Sequence, residues 1–254
     1  MDTLACIKRV PDTGARIVLT EDRQSIDDSN LGHTISPHEE CAVEEAVQLT
    51  EAHGGESTAL TLGAPAAEEQ LRTAIAMGID HGILLETEAA NWGPIDTAAA
   101  IADAVTDESG SPNYDILLFG NESADAQNFQ VGIRVAAALD VPVISGIKDL
   151  AIDDGRAIAK REVSGGAEVY ELDLPAVITV KEGLNTPRYP SMQSQMRARR
   201  VELARSDPKP TGASDVEMVE YEVPERDDSP AEILGEDASA APAAVDVLAD
   251  LEVL

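Results

Sequence analysis

Residues 119–132, FGNESADAQNFQVG, carry a run of groups suited to holding a ligand. Gly120 permits a sharp turn, and Asn121, Ser123, Asp125, Asn128 and Gln130 supply side-chain donors and acceptors. A helix expected to start near Phe129 and run through Val131 and Gly132 would aim free backbone N–H groups and its positive end at an anion such as a phosphate. The same residues also make an ordinary capped loop, and residue types alone weigh the two readings equally. A second concentration lies in residues 174–200, LPAVITVKEGLNTPRYPSMQSQMRARR. There a chain of formal charge −30 gathers Arg197, Arg199 and Arg200 close to the thioether of Met192.

Other chemistries lack their residues. His33, His38, His53 and His81 form no HExxH and pair with no cysteine motif, so no metal centre is expected. There is no GxSxG elbow, and Ser164-Gly165-Gly166 falls between two strand-like runs without the Lys-Ser/Thr of a P-loop, which makes it a hairpin turn. With 48 acids, accidental carboxylate pairs are inevitable and none is singled out. The chain offers a nucleotide-loop pattern without a visible acid, base or nucleophile.

The elements that must position these groups follow from periodicity. TLACIKRV reads as a first strand, and SPHEECAVEEAVQLTEAHGG as a helix with Ser36 as N-cap, Pro37 at its first position, Glu39 three residues after the cap and Gly54 as the stop. STALTLGA, HGILLET, YDILLFG and VPVISGI are further strands, alternating with helices over AAEEQLRTAIAMG, PIDTAAAIADAV and FQVGIRVAAALD. That alternation predicts an α/β fold, a doubly wound and mostly parallel sheet with helices on both faces. Ligands in such sheets bind beyond the carboxyl ends of the strands, where strand order reverses, so the loops KRVPDTGA, LGAPAA (opening with Leu62 and Gly63) and FGNESADAQNFQVG become the candidate rim. From about Val143, ISGIKDLAIDD, GRAIAKREV, GGAEVYELDL and PAVITVKEG lack helical periods and suggest an antiparallel extension.

Composition bounds the rest. At 254 residues and 43% apolar content the chain can build a substantial core, aliphatic because aromatics are 3%. A surface with 48 acids against 18 Lys and Arg repels nucleic acid and anionic lipid, and its spread along the chain is read as adaptation to a salty, halophilic cytoplasm. Cys6 and Cys41 lie in apolar patterns and read as buried side chains. No apolar run reaches bilayer-spanning length, so a soluble cytoplasmic protein is expected, with no membrane insertion. Residues 206–254 hold 14 acids and 2 bases, a linker composition ending in a short amphipathic helix with Val245, Leu248 and Leu251 on one side. Two regions are therefore expected: a nucleotide-binding α/β domain over 1–205 with a partner-recognition loop near 185–200, and an acidic linker with a helix that docks on its own domain or on a partner.

Several of these stretches resemble the β subunit of electron transfer flavoprotein, a FixA-like family: ACIKRVPDT, SPHEECAVEEAVQL, LRTAIAMGIDHGILL, LLFGNESADAQNFQVG and LPAVITVKEGLNTPRYPSMQSQMRAR. The resemblance covers residues 1–205 closely and the tail loosely, and the last run is its most diagnostic part. It implies a heterodimer with an α subunit that carries most of the FAD site, while this chain holds an adenine nucleotide, usually AMP. It implies electron carriage from acyl-CoA and other flavin dehydrogenases to a membrane quinone oxidoreductase, without a catalytic residue of this chain's own. By the same resemblance Cys6, Ser36, Leu62 and Gly63 line the nucleotide. Residues Gly120 to Gly132 surround its phosphate and ribose, with Asp125, Gln130 and Val131 at matching positions, and Thr13 approaches the flavin across the subunit interface.

The segment after PRYP corresponds to a protruding recognition loop whose apolar anchor falls on Met192, with Arg197, Arg199 and Arg200 where the family is rich in lysine. The alternative reading of those arginines, as basic residues that close a helix, is the less favoured one. The electron-bifurcating branch, which takes a second FAD in place of AMP, carries Asp-Gly-Asp-Thr-Ala-Gln, of which residues 125–130 keep only Asp125 and Gln130. That departure favours AMP, and Phe129 is unusual at its position. The rivals are a stand-alone adenine-nucleotide stress-type module, which has no need of LPAVITVKEGLNTPRYP, and an ATP-pyrophosphatase-type enzyme. The latter requires a Ser-Gly-Gly motif where this chain has Lys8-Arg9-Val10-Pro11-Asp12.

Overall fold

Continuous apolar runs bury both of their faces, and here they become the central strands of one sheet. A computed structural model describes residues 1–12, 14–88, 92–212, 219–224 and 232–253, and the chain divides into two units, Met1–Val219 and Glu220–Leu254. The first unit begins with β1 (Thr3–Cys6), β2 (Val10–Pro11), β3 (His33–Thr34), α1 (Pro37–His53), β4 (Ser57–Gly63), α2 (Glu68–Met77) and β5 (His81–Glu86). It continues through α3 (Pro94–Ala104), β6 (Ile116–Gly120), α4 (Val131–Leu139), β7 (Val143–Ile147), β8 (Asp149–Asp153), β9 (Arg156–Val163) and β10 (Gly166–Asp173). It closes with β11 (Ala176–Val180), α5 (Met192–Ala198) and β12 (Leu203–Ser206). The second unit contains α6 (Ala241–Asp250), on which Val245 and Leu248 are exposed, as is Leu251 beyond it.

Among the described residues the main sheet has the order β12-β5-β4-β1-β6-β11-β7, with every pairing parallel. This is the doubly wound α/β architecture that the alternation of elements implies. Side chains of successive strand residues part to opposite faces: Ala5 and Ile7 enter one core with Val43, Val47, Leu71 and Ile75, while Leu4 and Cys6 enter the other with Ile101, Val135 and Leu139. Helices α1, α2 and α5 therefore cover one face, and α3 and α4 the other.

The antiparallel extension is β10-β9-β8. One run expected to belong to it, PAVITVKEG, does not: β11 joins the parallel sheet between β6 and β7, while ISGIKDLAIDD supplies β8 to the extension and its first residues complete β7, the strand expected from VPVISGI. The reason is burial. All five residues of β11 are inaccessible, whereas β8 alternates exposed and half-buried positions. Its run AVITV is apolar enough to be covered on both sides, and only a central strand satisfies that. Helix α4 starts at Val131, two residues after the expected start near Phe129, because Gln127 and Phe129 both hold positive φ (50° and 55°) and cannot extend a right-handed helix. Near the end of the unit, Thr211 donates its N–H and hydroxyl to the buried Asp96 carboxylate.

Candidate nucleotide crevice and recognition segment

From β1 the chain steps to β4 and β5 on one side, then crosses back to place β6 on the other, so strand order reverses between β1 and β6. Ligands of doubly wound sheets gather at such a point. The loop after β6 is fastened over it from two directions. The Ser36 hydroxyl, nearly inaccessible, accepts the Ala124 N–H at 3.0 Å rather than serving only its own helix. The Lys8 ammonium, just past β1, meets Asp125 Oδ2 at 2.6 Å, while Asp125 Oδ1 accepts the Ala126 N–H at 2.7 Å. Burial opposes ionisation there, but the Lys8 ammonium outweighs it and holds the Asp125 carboxyl below its usual range.

At the base of this loop Asn121 ties three strand ends together. Its N–H donates to Val180 O at 2.8 Å, and its side-chain oxygen accepts the Thr179 hydroxyl at 3.0 Å. The Thr179 oxygen in turn accepts the Gly146 N–H at 3.0 Å. Glycine is obligatory at two points. A Cβ at Gly120 would lie 2.7 Å from Glu39 Cγ, and one at Gly132 would lie 2.9 Å from Thr179 Cγ2 and 3.1 Å from the Phe119 ring. Both sites are close approaches of backbone to packed atoms.

Glu39 is the residue that sequence reasoning assigned to capping alone. It does reach back, accepting the Ser36 N–H at 3.2 Å, as a capping box requires. Its carboxyl is also buried at the floor of the crevice, against Gly120 and beside the Lys8 backbone. Burial pushes its pKa up to about 8, despite the Lys8 and Ser36 groups that donate to it, so at neutral pH it carries its proton. Cys6, buried at the end of β1, is likewise raised well above its ordinary value, by burial and by the Glu39 carboxyl. His38, one residue before Glu39, has Nε2 3.9 Å from Glu122 Oε1, and its buried Nδ1 has no hydrogen-bond partner among the described residues.

The structure thus brings together Cys6, Ser36, Gly120, Asn121, Ser123 and Asp125. Leu62 and Gly63, half-buried, end β4 next to β1. Ser123 accepts the Gln127 N–H through its carbonyl at 3.2 Å; Asn128 is exposed. The Gln130 side chain turns to its own helix and accepts two N–H groups of Arg134 at 2.9 and 3.0 Å. Val131 is half-buried as the first residue of α4, and Gly132 is buried. Thr13 lies outside the described residues. Among the described residues no group of three His, Cys, Asp or Glu side chains could hold a metal ion, and no helix is long and apolar enough to cross a membrane.

The recognition segment stands apart from the crevice, tied at both ends. Ahead of it, Asn185 donates to Cys41 O at 3.0 Å and Glu45 Oε2 at 2.9 Å, and Arg188 grips two carboxylates of α1. Behind it, Arg72 of α2, held by Glu68, donates to the Ala198 and Val201 carbonyls and closes α5. β12 then pairs with β5, with Arg205 bridging Glu68 and Glu86. Between these ties Tyr189 (94%), Met192 (75%) and Met196 (55%) are exposed. Arg197 donates to Ile75 O at 3.1 Å, and Arg197 and Arg200 border a hollow with Ser194, Met196 and Val201. Sequence reasoning missed Lys8, Thr179, Arg72 and Arg188; only Arg188, inside the diagnostic NTPRYP run, carried a signal that could have marked it.

A switch-point crevice beneath a pinned polar loop is the place where doubly wound α/β proteins take their ligands. The electron transfer flavoprotein domain family matches residues 25–211. Across 80% of its length the chain is 37% identical to the electron transfer flavoprotein subunit beta of Bacillus subtilis, covering 77% of that protein. The corresponding subunit of Syntrophomonas wolfei is 36% identical over 88% of this chain and 86% of its own, and the human one 33% over 79% and 78%. The chain belongs to the electron transfer flavoprotein β subunit family.

Proposed function

We propose that this chain is the β half of a heterodimeric electron carrier, holding AMP at its strand ends while a companion α subunit carries FAD. The observation that carries the reading is the loop after β6, fixed over the β1/β6 reversal by Ser36 and by the Lys8–Asp125 pair. The donor set suits a nucleotide: the loop amides other than those of Asn121, Ala124, Ala126 and Gln127, with the Lys8 ammonium and the Ser123 hydroxyl, for phosphate and ribose, and Cys6, Leu62 and Gly63 for the base side. The buried Nδ1 of His38, beside the loop, has no hydrogen-bond partner among the described residues and would suit a ligand acceptor or donor. Thr13 would approach the flavin. The flavin supplies the redox chemistry; this chain's part is to complete its crevice, hold the nucleotide and present a docking segment. Electrons would arrive from acyl-CoA and other flavin dehydrogenases and leave to a membrane quinone oxidoreductase, in a cytoplasm rich in salt. Residues 1–205 would form the nucleotide-binding body, and the acidic remainder a linker with a docking helix.

Co-expressed with its companion, the chain should purify as a yellow heterodimer with one FAD and one extractable AMP; two flavins and no AMP would instead indicate the bifurcating arrangement. ATP hydrolysis by the isolated chain, or full activity without a flavin-bearing companion, would overturn the reading. Met192, the most exposed apolar residue of α5, is the anchor in this proposal, since an unbranched thioether repacks readily on different partners. Met192→Ala should slow electron transfer from the dehydrogenase by roughly tenfold, the value of one buried anchor side chain, with flavin content unchanged. An unaltered rate in steady-state assays would remove it from that role.

A further inference from the structure

The start of α1 meets the loop after β6 at three points. Ser36 accepts the Ala124 N–H, the stem of Glu39 packs under Gly120, and between them His38 brings Nε2 toward Glu122 Oε1. The first two contacts do not change with pH near neutrality: one is made by a hydroxyl, the other by a methylene stem whose carboxyl, raised to about 8 by burial, keeps its proton. The third does change. At 3.9 Å the His38–Glu122 gap is too long for a hydrogen bond and short enough for strong attraction between full charges. Both side chains are largely enclosed, 20% and 25% exposed, so solvent screens them only in part.

The other charges around this end of α1 are matched elsewhere. Lys8 and Arg9, past β1, are engaged by Asp125 and by Glu69 of α2. Cys6 is kept as the thiol by burial and by the Glu39 carboxyl. On the β11 side Lys181 extends past Gly146, and Glu182 acts on Glu40. Among the described residues Glu122 is the one acid within 4.0 Å of the His38 ring, and His38 the one cation-forming group within that distance of Glu122.

We propose that His38 and Glu122 form a proton-operated clasp on the crevice loop, closed when the imidazole is charged and loose when it is neutral, so that the nucleotide is held more tightly in mild acid. The clasp acts on the nucleotide of the functional reading above, on which it rests, and gives that site a regulator. Imidazole is the side chain whose ordinary titration falls between about pH 5 and 8. A proton on the ring turns the gap into an ion pair, which a loop shift of about 1 Å converts into a charge-assisted hydrogen bond. Charging also makes both ring nitrogens donors. Nε2–H faces Glu122, while the buried Nδ1–H, without a partner among the described residues, gains one when a nucleotide oxygen enters the crevice. Proton and nucleotide therefore favour each other, as linkage requires.

The full chain, stripped of nucleotide, is titrated with AMP by calorimetry from about pH 5.5 to about pH 7.5, the range of imidazole titration, in buffers of different ionisation enthalpy. The phosphate of AMP titrates there too, and Glu39 above it, in wild type and variants alike, so the difference between proteins reports the clasp. Relative to His38→Gln, the wild type should gain roughly fivefold in AMP affinity at the acid end, the value of one partly exposed ion pair, and should take up a larger fraction of a proton on binding. Glu122→Gln should remove the same pH dependence from the other side of the pair, and it alone decides if His38→Gln does not fold. An affinity loss equal at every pH would mean packing only and would overturn the clasp, as would a wild-type profile that the variants leave unchanged. In either case AMP still binds and the functional reading stands. If the wild type binds no AMP at any pH, alone or with its companion, both fail.

Discussion

Replacing Arg188 by methionine is expected to cost about 3 kcal/mol of folding stability, which for a unit of this size lowers Tm by roughly 10 °C. The cost does not come from a surface ion pair. Glu44 has a side chain only 4% exposed, and all of its ionic compensation comes from one residue: Arg188 Nε and N–H donate to Oε2 at 2.9 and 3.0 Å, and a terminal nitrogen to Oε1 at 3.0 Å. The remaining N–H groups fork onto Glu51 at 2.7 and 3.0 Å. Burial favours the neutral acid at Glu44, yet the guanidinium wins and holds the carboxyl below its usual range. A folded-state value that is depressed contributes stability above the ordinary glutamate value and loses it as pH falls through the depressed one. The gap between wild type and Arg188→Met should therefore be widest near neutrality and narrow in acid. Adding Glu44→Gln should recover most of the loss, because the deficit is a buried charge without a partner. Thermal melts showing a Tm change under 2 °C would refute this account.

Glu39→Gln should behave oppositely and flatten the pH dependence of stability. Here the folded value, about 8, lies above the ordinary one, so the native state keeps a proton that the unfolded chain has lost. Stability is then fully present below the ordinary glutamate value and declines as pH rises from there to about 8, by up to about 1.4 kcal/mol per unit. Glutamine presents the same hydrogen-bonding outline as the protonated acid without the titration. Melts across that window should show the wild type losing stability relative to Glu39→Gln and the difference levelling off above it. Parallel curves would mean that Glu39 ionises freely and that water reaches the crevice floor. Because the methylene stem of Glu39 packs against the loop root at Gly120, the same titration is expected to reach the fit of whatever the crevice holds.

Much of this architecture was legible because local and global preferences agree. Pro37, Glu39 and Gly54 mark α1, and alternating helices and strands leave few topologies other than a doubly wound sheet. Legibility failed where a residue's role depends on what arrives from far along the chain. The run AVITV looks the same whether it ends a hairpin or enters a sheet, and only burial on both sides, supplied by distant helices, decides for β11. Glu39 signals a cap, but nothing adjacent announces that Gly120, remote in sequence, will press against it. Lys8 and Asp125 stand 117 positions apart and meet only because β1 and β6 are neighbours. The left-handed backbone of Phe129 had no warning in a residue type that seldom adopts it.

The insertion of β11 between β6 and β7, and of β12 against β5, bears on how the polypeptide matures. During synthesis from the amino end, the three strands that flank these slots, β5, β6 and β7, emerge before the strands that fill them, so neither edge can be sealed until residues 176–206 leave the ribosome. Until then β5 and β6 present open hydrogen-bonding edges of the kind that recruit stray strands. A nascent chain so rich in carboxylates repels its neighbours throughout that interval, and the acidity that suits the finished surface also guards the unfinished one.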